Sequence, residues 1–245
     1  MHTPLRSASL LLALSAALLG GAAPALAAGQ AEGWQAAIAS PLRSADDRQA
    51  DARRKPAEFL SFAQVRPGQK VLDVASGGGA TATLLAAAVG AQGEVWAQNP
   101  KPNDKLETRL EQTKVPNLHP VVAGFADPVP AGTPPLDLVT INLSYHDIAN
   151  TPTDRAAMNK RLYQALKPGG VLVVVDNSAK KGAGLSATRT LHRIDEDTVV
   201  EEFTRAGFKV DARGDQWRAP ADPREQPFFK MNGEPDDKFA IRFKK

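Results

Sequence analysis

The chain has 245 residues, with 30 Lys and Arg against 27 Asp and Glu, a formal charge of +3, 42% hydrophobic and 23% charged residues. That balance excludes wholesale disorder, and so small a positive excess argues for no nucleic-acid partner. With no cysteine, disulfides, thiolate metal sites, a cysteine nucleophile and a lipoprotein anchor are excluded; the 4 His are scattered, so no metal is expected from sequence spacing.

The first residues read as an address. Arg6 precedes an apolar run from Leu10 to Leu19, followed by Gly20-Gly21 and Pro24-Ala25-Leu26-Ala27-Ala28. This is the charged region, apolar region and small-residue cleavage site of a secretory signal, with cutting expected after Ala27. The run is about half the roughly 20 residues a spanning helix needs, so no stable membrane insertion is expected once the signal, with His2, is removed. An uncleaved signal anchor is the other reading. No twin-arginine pair precedes the run, so export by the general route to the periplasm or beyond is expected. The division is a signal peptide over 1–27, an N-terminal helical extension over 28–66 and a main domain over 67–245.

Ser40 to Lys55 is densely charged (Arg43, Asp46, Asp47, Arg48, Asp51, Arg53, Arg54) and reads as a helix with a solvated face; a second helix opens at Pro56, whose missing N–H costs nothing there. After the turn Arg66-Pro67-Gly68-Gln69, strands alternate with helices. Strands are expected over Val71–Val74, Glu94–Ala97, Leu118–Ala123, Leu136–Asn142, Gly170–Asp176, Phe208–Ala212 and Lys238–Phe243. Helices are expected over Ala80–Val89, Asp104–Thr113 (capped by Asn103), Thr153–Leu166 and Asp195–Ala206. The alternation implies βαβ units, hence an α/β Rossmann-like, doubly wound, mostly parallel seven-stranded sheet with an antiparallel last strand. Val171 to Val175 shows no polar alternation, as befits a central strand covered on both faces.

Leu72-Asp73-Val74-Ala75-Ser76-Gly77-Gly78-Gly79-Ala80-Thr81 is the most informative stretch. A strand runs into a glycine turn that opens a helix, so backbone can approach a ligand closely and the helix N-terminus offers free N–H groups. Gly77-x-Gly79-x-x-Ala82 also fits a dinucleotide pattern. Asp73, however, would repel a pyrophosphate and suits a ligand with a cationic amino group.

These residues resemble the class I S-adenosylmethionine-dependent methyltransferases, over roughly Pro56 to Phe243. Leu166-Lys167-Pro168-Gly169-Gly170 is similar to that superfamily's turn before the fifth strand. The resemblance implies S-adenosyl-L-methionine as cofactor, with Asp73, Ala75, Gly77 and Gly79 in the cofactor loop and Ala75 standing at its usual first glycine. It places Asn99 where an acid usually grips the ribose hydroxyls, Asp127 near the reader of the adenine amine, and Asn142 after the fourth strand. Three further phrases, Arg53 to Glu58, Asn142 to Asp147 and Ser178 to Asp195, resemble a group of exported bacterial methyltransferases without an assigned acceptor.

Acceptor-facing residues are expected after the fourth and fifth strands, because ligands of open α/β sheets bind beyond the carboxyl ends of strands. Asn142-Leu143-Ser144-Tyr145 distantly resembles the Asn-Pro-Pro-Tyr motif of amino-group methyltransferases, which nominates Tyr145. His146 is either a general base for the acceptor or a polar residue that caps the next helix or pairs with Asp147. His192 and Arg193 either face the acceptor or hold their loop. His119 reads as structural. Gly214 to Asp237 carries Trp217, Phe228 and Phe229, and either closes over the pocket or packs as a satellite core.

The expected function is methyl transfer to an unidentified, small-molecule or other, acceptor. The alternative from another class is an exported non-catalytic module that binds a nucleoside-like ligand, motivated by Ala75 and Asn99. A nicotinamide oxidoreductase is a third reading, opposed by Asp73 and the Lys167-Pro168-Gly169-Gly170 turn.

Overall fold

A computed structural model describes residues 22–245. Most of the expected signal peptide, with His2 and Arg6, lies outside the described residues. Helix α1 (Ala22–Ala39) leads into α2 (Ala45–Gln49), α3 (Asp51–Arg54) and α4 (Pro56–Phe62). The charged segment thus forms two short helices in place of one. It breaks at Ala50, and Lys55 turns left-handed at φ 50° to let Pro56 start the next helix. The solvated face expected there is also corrected. Arg43 and Asp47 are buried, Arg43 donating to Ile38 O and Asp51 and so clasping the ends of α1, α2 and α3.

The remainder alternates as β1 (Lys70–Val74), α5 (Ala80–Val89), β2 (Glu94–Asn99), α6 (Asp104–Thr113), β3 (Leu118–Val122), β4 (Leu136–Asn142), α7 (Tyr145–Ile148), α8 (Arg155–Ala165), β5 (Leu166–Asn177), α9 (Thr188–Leu191), α10 (Glu196–Arg205), β6 (Lys209–Gly214) and β7 (Lys238–Lys244). Two caps are those the sequence announces: Asn103 accepts from Lys105 N–H and Leu106 N–H, and Asp195 from Asp197 N–H, whereas α8 starts two residues later than expected, capped by Asp154. Seven strands form one sheet in the order β3-β2-β1-β4-β5-β7-β6, with β7 antiparallel to both neighbours. The expected Lys167-Pro168-Gly169-Gly170 turn is a bulge: Leu166 pairs with Leu136, Val171 with Leu138, and the residues between loop outward.

Period-two alternation divides the core. Val171, Val173 and Val175 pack with Val71, Leu138, Leu85 and Phe59 on one face; Leu172 and Val174 pack with Val139, Ile141, Phe203 and Phe243 on the other. Phe59, Leu60 and Val65 place the N-terminal extension in the first core, and Gln30 and Trp34 of α1 both donate to Val65 O. The strand order reverses between β1 and β4, so their outgoing loops diverge and leave a crevice at the carboxyl edge. None of the described helices is long and apolar enough to cross a membrane.

The Gly214–Asp237 insertion packs down onto the body. Trp217 and Met231 are buried, the Trp217 ring meets Phe62 edge-on at 6.0 Å, and its Nε1 donates to Arg54 O at 3.2 Å. Arg193 is fully buried and bonds Asp222 at 2.8 Å while donating to Gln226 O and Ser178 O. Arg193 therefore holds its loop, the second of the two roles expected.

Candidate functional site

The crevice is a cleft of about 280 Å³, walled by the β1–α5 turn, by Asn142, Leu143 and Ser144 after β4, and by Arg54, Lys105 and Arg109. Register puts Asp73 opposite Thr140, whose hydroxyl donates to Asp73 Oδ1 at 2.6 Å. Asp73 is 1% exposed and its Oδ2 has no partner. Burial pushes this carboxyl up to about 6, although the Thr140 bond, the nearby Ser76 hydroxyl and the Arg54 charge pull the other way. An unpaired buried carboxylate oxygen is costly unless something supplies a donor.

The turn after Asp73 is held open by its surroundings. Ala75, Gly77 and Gly79 all have positive φ (54°, 56° and 81°). A side chain on Gly79 would lie 2.6 Å from Leu106 Cδ1, whereas nothing lies within 4 Å of that position on Gly77. Gly79 is thus needed for the close approach of α6, and Gly77 presents bare backbone to free space. Ala75 N–H donates to Gln98 Oε1, and Ala75 O accepts from Ser144 Oγ. Asn142, as expected, borders the cleft, its amide donating to Thr81 Oγ1 at 3.1 Å.

Other expected residues do different work. Asn99 is buried and uses both ends of its amide on Gly77, accepting from its N–H at 2.8 Å and donating to its carbonyl at 3.0 Å. It braces the turn, with each end of the amide already engaged by Gly77. Asp127 lies outside the cleft, 69% exposed and paired with Arg161 at 2.8 Å. Tyr145 is 0% exposed; its hydroxyl donates to Glu202 at 2.6 Å and accepts from Asn159, so it cannot address an acceptor.

Sequence reasoning missed the cleft's cationic wall. Arg109 Nε donates to Gly78 O at 2.7 Å while its guanidinium forms a forked pair with buried Asp47, at 2.5 and 3.0 Å. This pair ties α6, the glycine turn and the extension together, and holds Asp47 below the usual carboxylate range against the opposing effect of burial. Arg54 lines the cleft, while its neighbour Arg53 lines an adjacent cavity of about 350 Å³ bounded by Trp217, Phe228 and Lys238. The crowding of arginines before Pro56 was the available signal, but it does not say which way they point.

The histidines gather on the other side of the carboxyl edge. His146 is buried: Nδ1 bonds Asp176 Oδ1 at 2.6 Å and Nε2 lies 3.3 Å from Asp147 Oδ1. Burial alone would lower its pKa, but the two carboxylates override this and lift it to about 10. Both ring nitrogens thus face carboxylates, and the pairing with Asp147 is the second of the roles expected for it. His192 turns left-handed at φ 52° and brings Nδ1 to 3.4 Å from the same Asp147 oxygen. His119 pairs with Glu94 away from both clusters, as a structural residue.

Solved structures place the fold among S-adenosylmethionine-dependent methyltransferases. A SAM-dependent methyltransferase from Aquifex aeolicus superposes with a TM-score of 0.59 at 17% identity, covering 80% of this chain and 92% of that one. Aeropyrum pernix fibrillarin, solved with natively bound S-adenosyl-L-methionine, gives 0.51 at 14% identity over 76% and 74%.

The sequence model of the ubiE/COQ5 methyltransferase family matches residues 53–193, and the chain belongs to that family. Among curated relatives, an uncharacterized methyltransferase of Synechocystis sp. is 32% identical over 46% of this chain and 49% of its own length. A ubiquinone/menaquinone biosynthesis C-methyltransferase of Laribacter hongkongensis is 34% identical over 49% and 47%. The chain thus spans about half the length of the curated relatives it matches.

Proposed function

We propose that the chain is an S-adenosyl-L-methionine-dependent methyltransferase whose cofactor amino-acid end lies in the Asp73 cleft. The observation that carries this is the unpaired, buried Oδ2 of Asp73 beside the bare backbone of Gly77. A cationic amino group supplies the donor that oxygen lacks, and Arg54 on the facing wall is placed to meet the companion carboxylate. The fit is at the amino-acid end, since Asn99 and Asp127 are engaged elsewhere.

The cofactor contributes an electrophilic methyl on a sulfonium centre. The protein's task is alignment and exclusion of water, and neither needs a base when the acceptor is already nucleophilic. Asp73 and the unpartnered Ser76 hydroxyl bind and orient, and Gly77, lacking a side chain, leaves room for close approach; Asn99, Gln98 and Arg109 keep the turn in shape. Titration calorimetry of the purified chain with S-adenosyl-L-methionine should give one site, lost in Asp73→Ala. Absence of binding at millimolar cofactor, or unchanged affinity in the variant, removes the proposal. Binding without turnover on any acceptor class would favour a ligand-binding module.

The same reading includes export directed by residues 1–27. Its support is the sequence pattern, together with the fact that Gln30 and Trp34, which fasten α1 to Val65, lie beyond Ala27. Intact mass of protein from cell fractions should give a periplasmic or secreted species beginning at Ala28; an uncut cytoplasmic chain rejects it.

A further inference from the structure

We propose that His146, Asp147 and His192 form a site for one divalent transition-metal ion of the zinc class, with Asp176 orienting His146. Two elements distant in sequence build it: His146 and Asp147 lie in α7, and His192 caps α9. Asp147 Oδ1 is 3.3 Å from His146 Nε2 and 3.4 Å from His192 Nδ1, and all three donor atoms lie within 4.8 Å of one another. Ligand atoms bound at about 2.1 Å stand about 3.4 Å apart at the tetrahedral angle. Two separations therefore already match coordination, and a small turn of one imidazole closes the third.

The donor set narrows the ion. Two imidazoles and one carboxylate suit zinc and its first-row neighbours, whereas magnesium and calcium select oxygen cages.

An independent observation is the far side of the His146 ring. Asp176 is fully buried; its Oδ1 accepts from His146 Nδ1 and Asn177 N–H, and its Oδ2 accepts from His146 N–H at 2.8 Å. This fixes Nε2 toward Asp147 and His192, as the outer carboxylate does in histidine metal sites. On the open side, Asp147 is 59% and His192 37% exposed, which leaves coordination positions for water or an oxygen ligand. The Phe229 ring stands 5.5 Å from His192 at the rim. Asp176 shares the sheet face of Leu172 and Val174, opposite to that of Asp73, so the site stands independently of the cofactor reading.

The test is zinc titration of the chelator-treated, purified chain by calorimetry, with cobalt(II) absorption as a reporter of ligand geometry. One equivalent of zinc should bind with a Kd of about a micromolar or tighter, and cobalt should show the intense visible bands of a low-coordinate site. His192→Asn keeps the left-handed backbone (Asn tolerates φ > 0), and Asp147→Asn alters an exposed group, so both should fold as the parent by circular dichroism. Each should weaken zinc at least about 100-fold, and Asp176→Asn about 10- to 100-fold, on the scale seen for outer-shell partners. No zinc binding tighter than about 100 μM, or parental affinity in His192→Asn, overturns the assignment. Cofactor titration of the same samples is read separately, so failure of one reading leaves the other standing.

Discussion

Asp73 and Asp176 are buried carboxylates near the carboxyl ends of β1 and β5, at 1% and 0% exposure, and they are provisioned in opposite ways. Asp176 receives three donors, two from His146 and one from Asn177, so both of its oxygens are satisfied. Asp73 receives one, from Thr140, and leaves Oδ2 bare. A carboxylate with both oxygens answered by the protein is architecture and sets the direction of the group it holds. One left half-answered in a cleft is unfinished until a ligand arrives, and the fold bears the cost meanwhile.

The largest expected effect tests the architectural side. The loop that presents His192 continues into Arg193, whose charge is fully buried against Asp222. Arg193→Ala leaves the buried Asp222 charge with only the N–H donors of Arg224 and Asp237, and should cost about 3–5 kcal/mol by denaturant unfolding. A loss under about 1 kcal/mol would show that the insertion holds without the pair.

The ligand-receiving side is tested by pH. Because the folded pKa of Asp73 is raised to about 6, above its ordinary 3.8, its contribution to stability is fully present below about pH 3.8. That contribution is lost as pH rises through 6. The shift amounts to about 3 kcal/mol. Asp73→Asn should remove this dependence, so the variant matches or exceeds the parent at pH 8 and loses its advantage near pH 4. Cofactor affinity should run the other way, falling about tenfold per unit below pH 6 as the carboxylate is protonated, while Arg54, facing it, keeps its charge. Parallel stability curves for parent and variant would place the ionised Asp73 in a better-solvated setting than its burial indicates.

A third comparison lies within the glycine turn. Asn99→Ala leaves the N–H and carbonyl of Gly77 without their amide partner and should cost about 1–2 kcal/mol in unfolding, with about a tenfold loss of cofactor affinity. If Asn99 instead gripped the ribose, affinity would fall with no change in stability.

What the sequence disclosed divides along the same line. Asp73, the glycine turn and the chain reversal at Lys167–Gly170 (though not its form as a bulge) were legible because each is a contiguous phrase whose residue types are dictated by local backbone. Thr140 became Asp73's partner only through strand register, which no local phrase encodes. Asn99 and Tyr145 were at the expected positions with unexpected duties, because a buried polar side chain bonds to whatever tertiary neighbour lacks a partner. The sequence put His146 and His192 at the same edge, after β4 and β5, but their meeting at Asp147 was not legible, because it depends on how the two outgoing loops fold toward each other. Arg54 and Arg109 were readable as charges, but the direction they face depends on helix docking.

The smallest effect concerns Ala75, where the usual glycine is replaced and φ is 54°. An L-residue held left-handed costs about 1 kcal/mol relative to glycine, so Ala75→Gly relieves strain. The same change frees the unfolded chain, which opposes it by about 0.4–1 kcal/mol. The two nearly cancel, and the net stabilisation should be no more than about 0.5 kcal/mol, with cofactor affinity unchanged. Gly77→Ala is the mirror experiment: at φ 56° it loses on both folded-state strain and ligand space, since its new methyl projects into the free volume beside Asp73. Cofactor binding should therefore fail in Gly77→Ala and survive in Ala75→Gly. Were Ala75→Gly to destabilise by more than about 1 kcal/mol, the methyl of Ala75, which packs against the core containing Val74 and Tyr145, would outweigh the backbone strain it imposes.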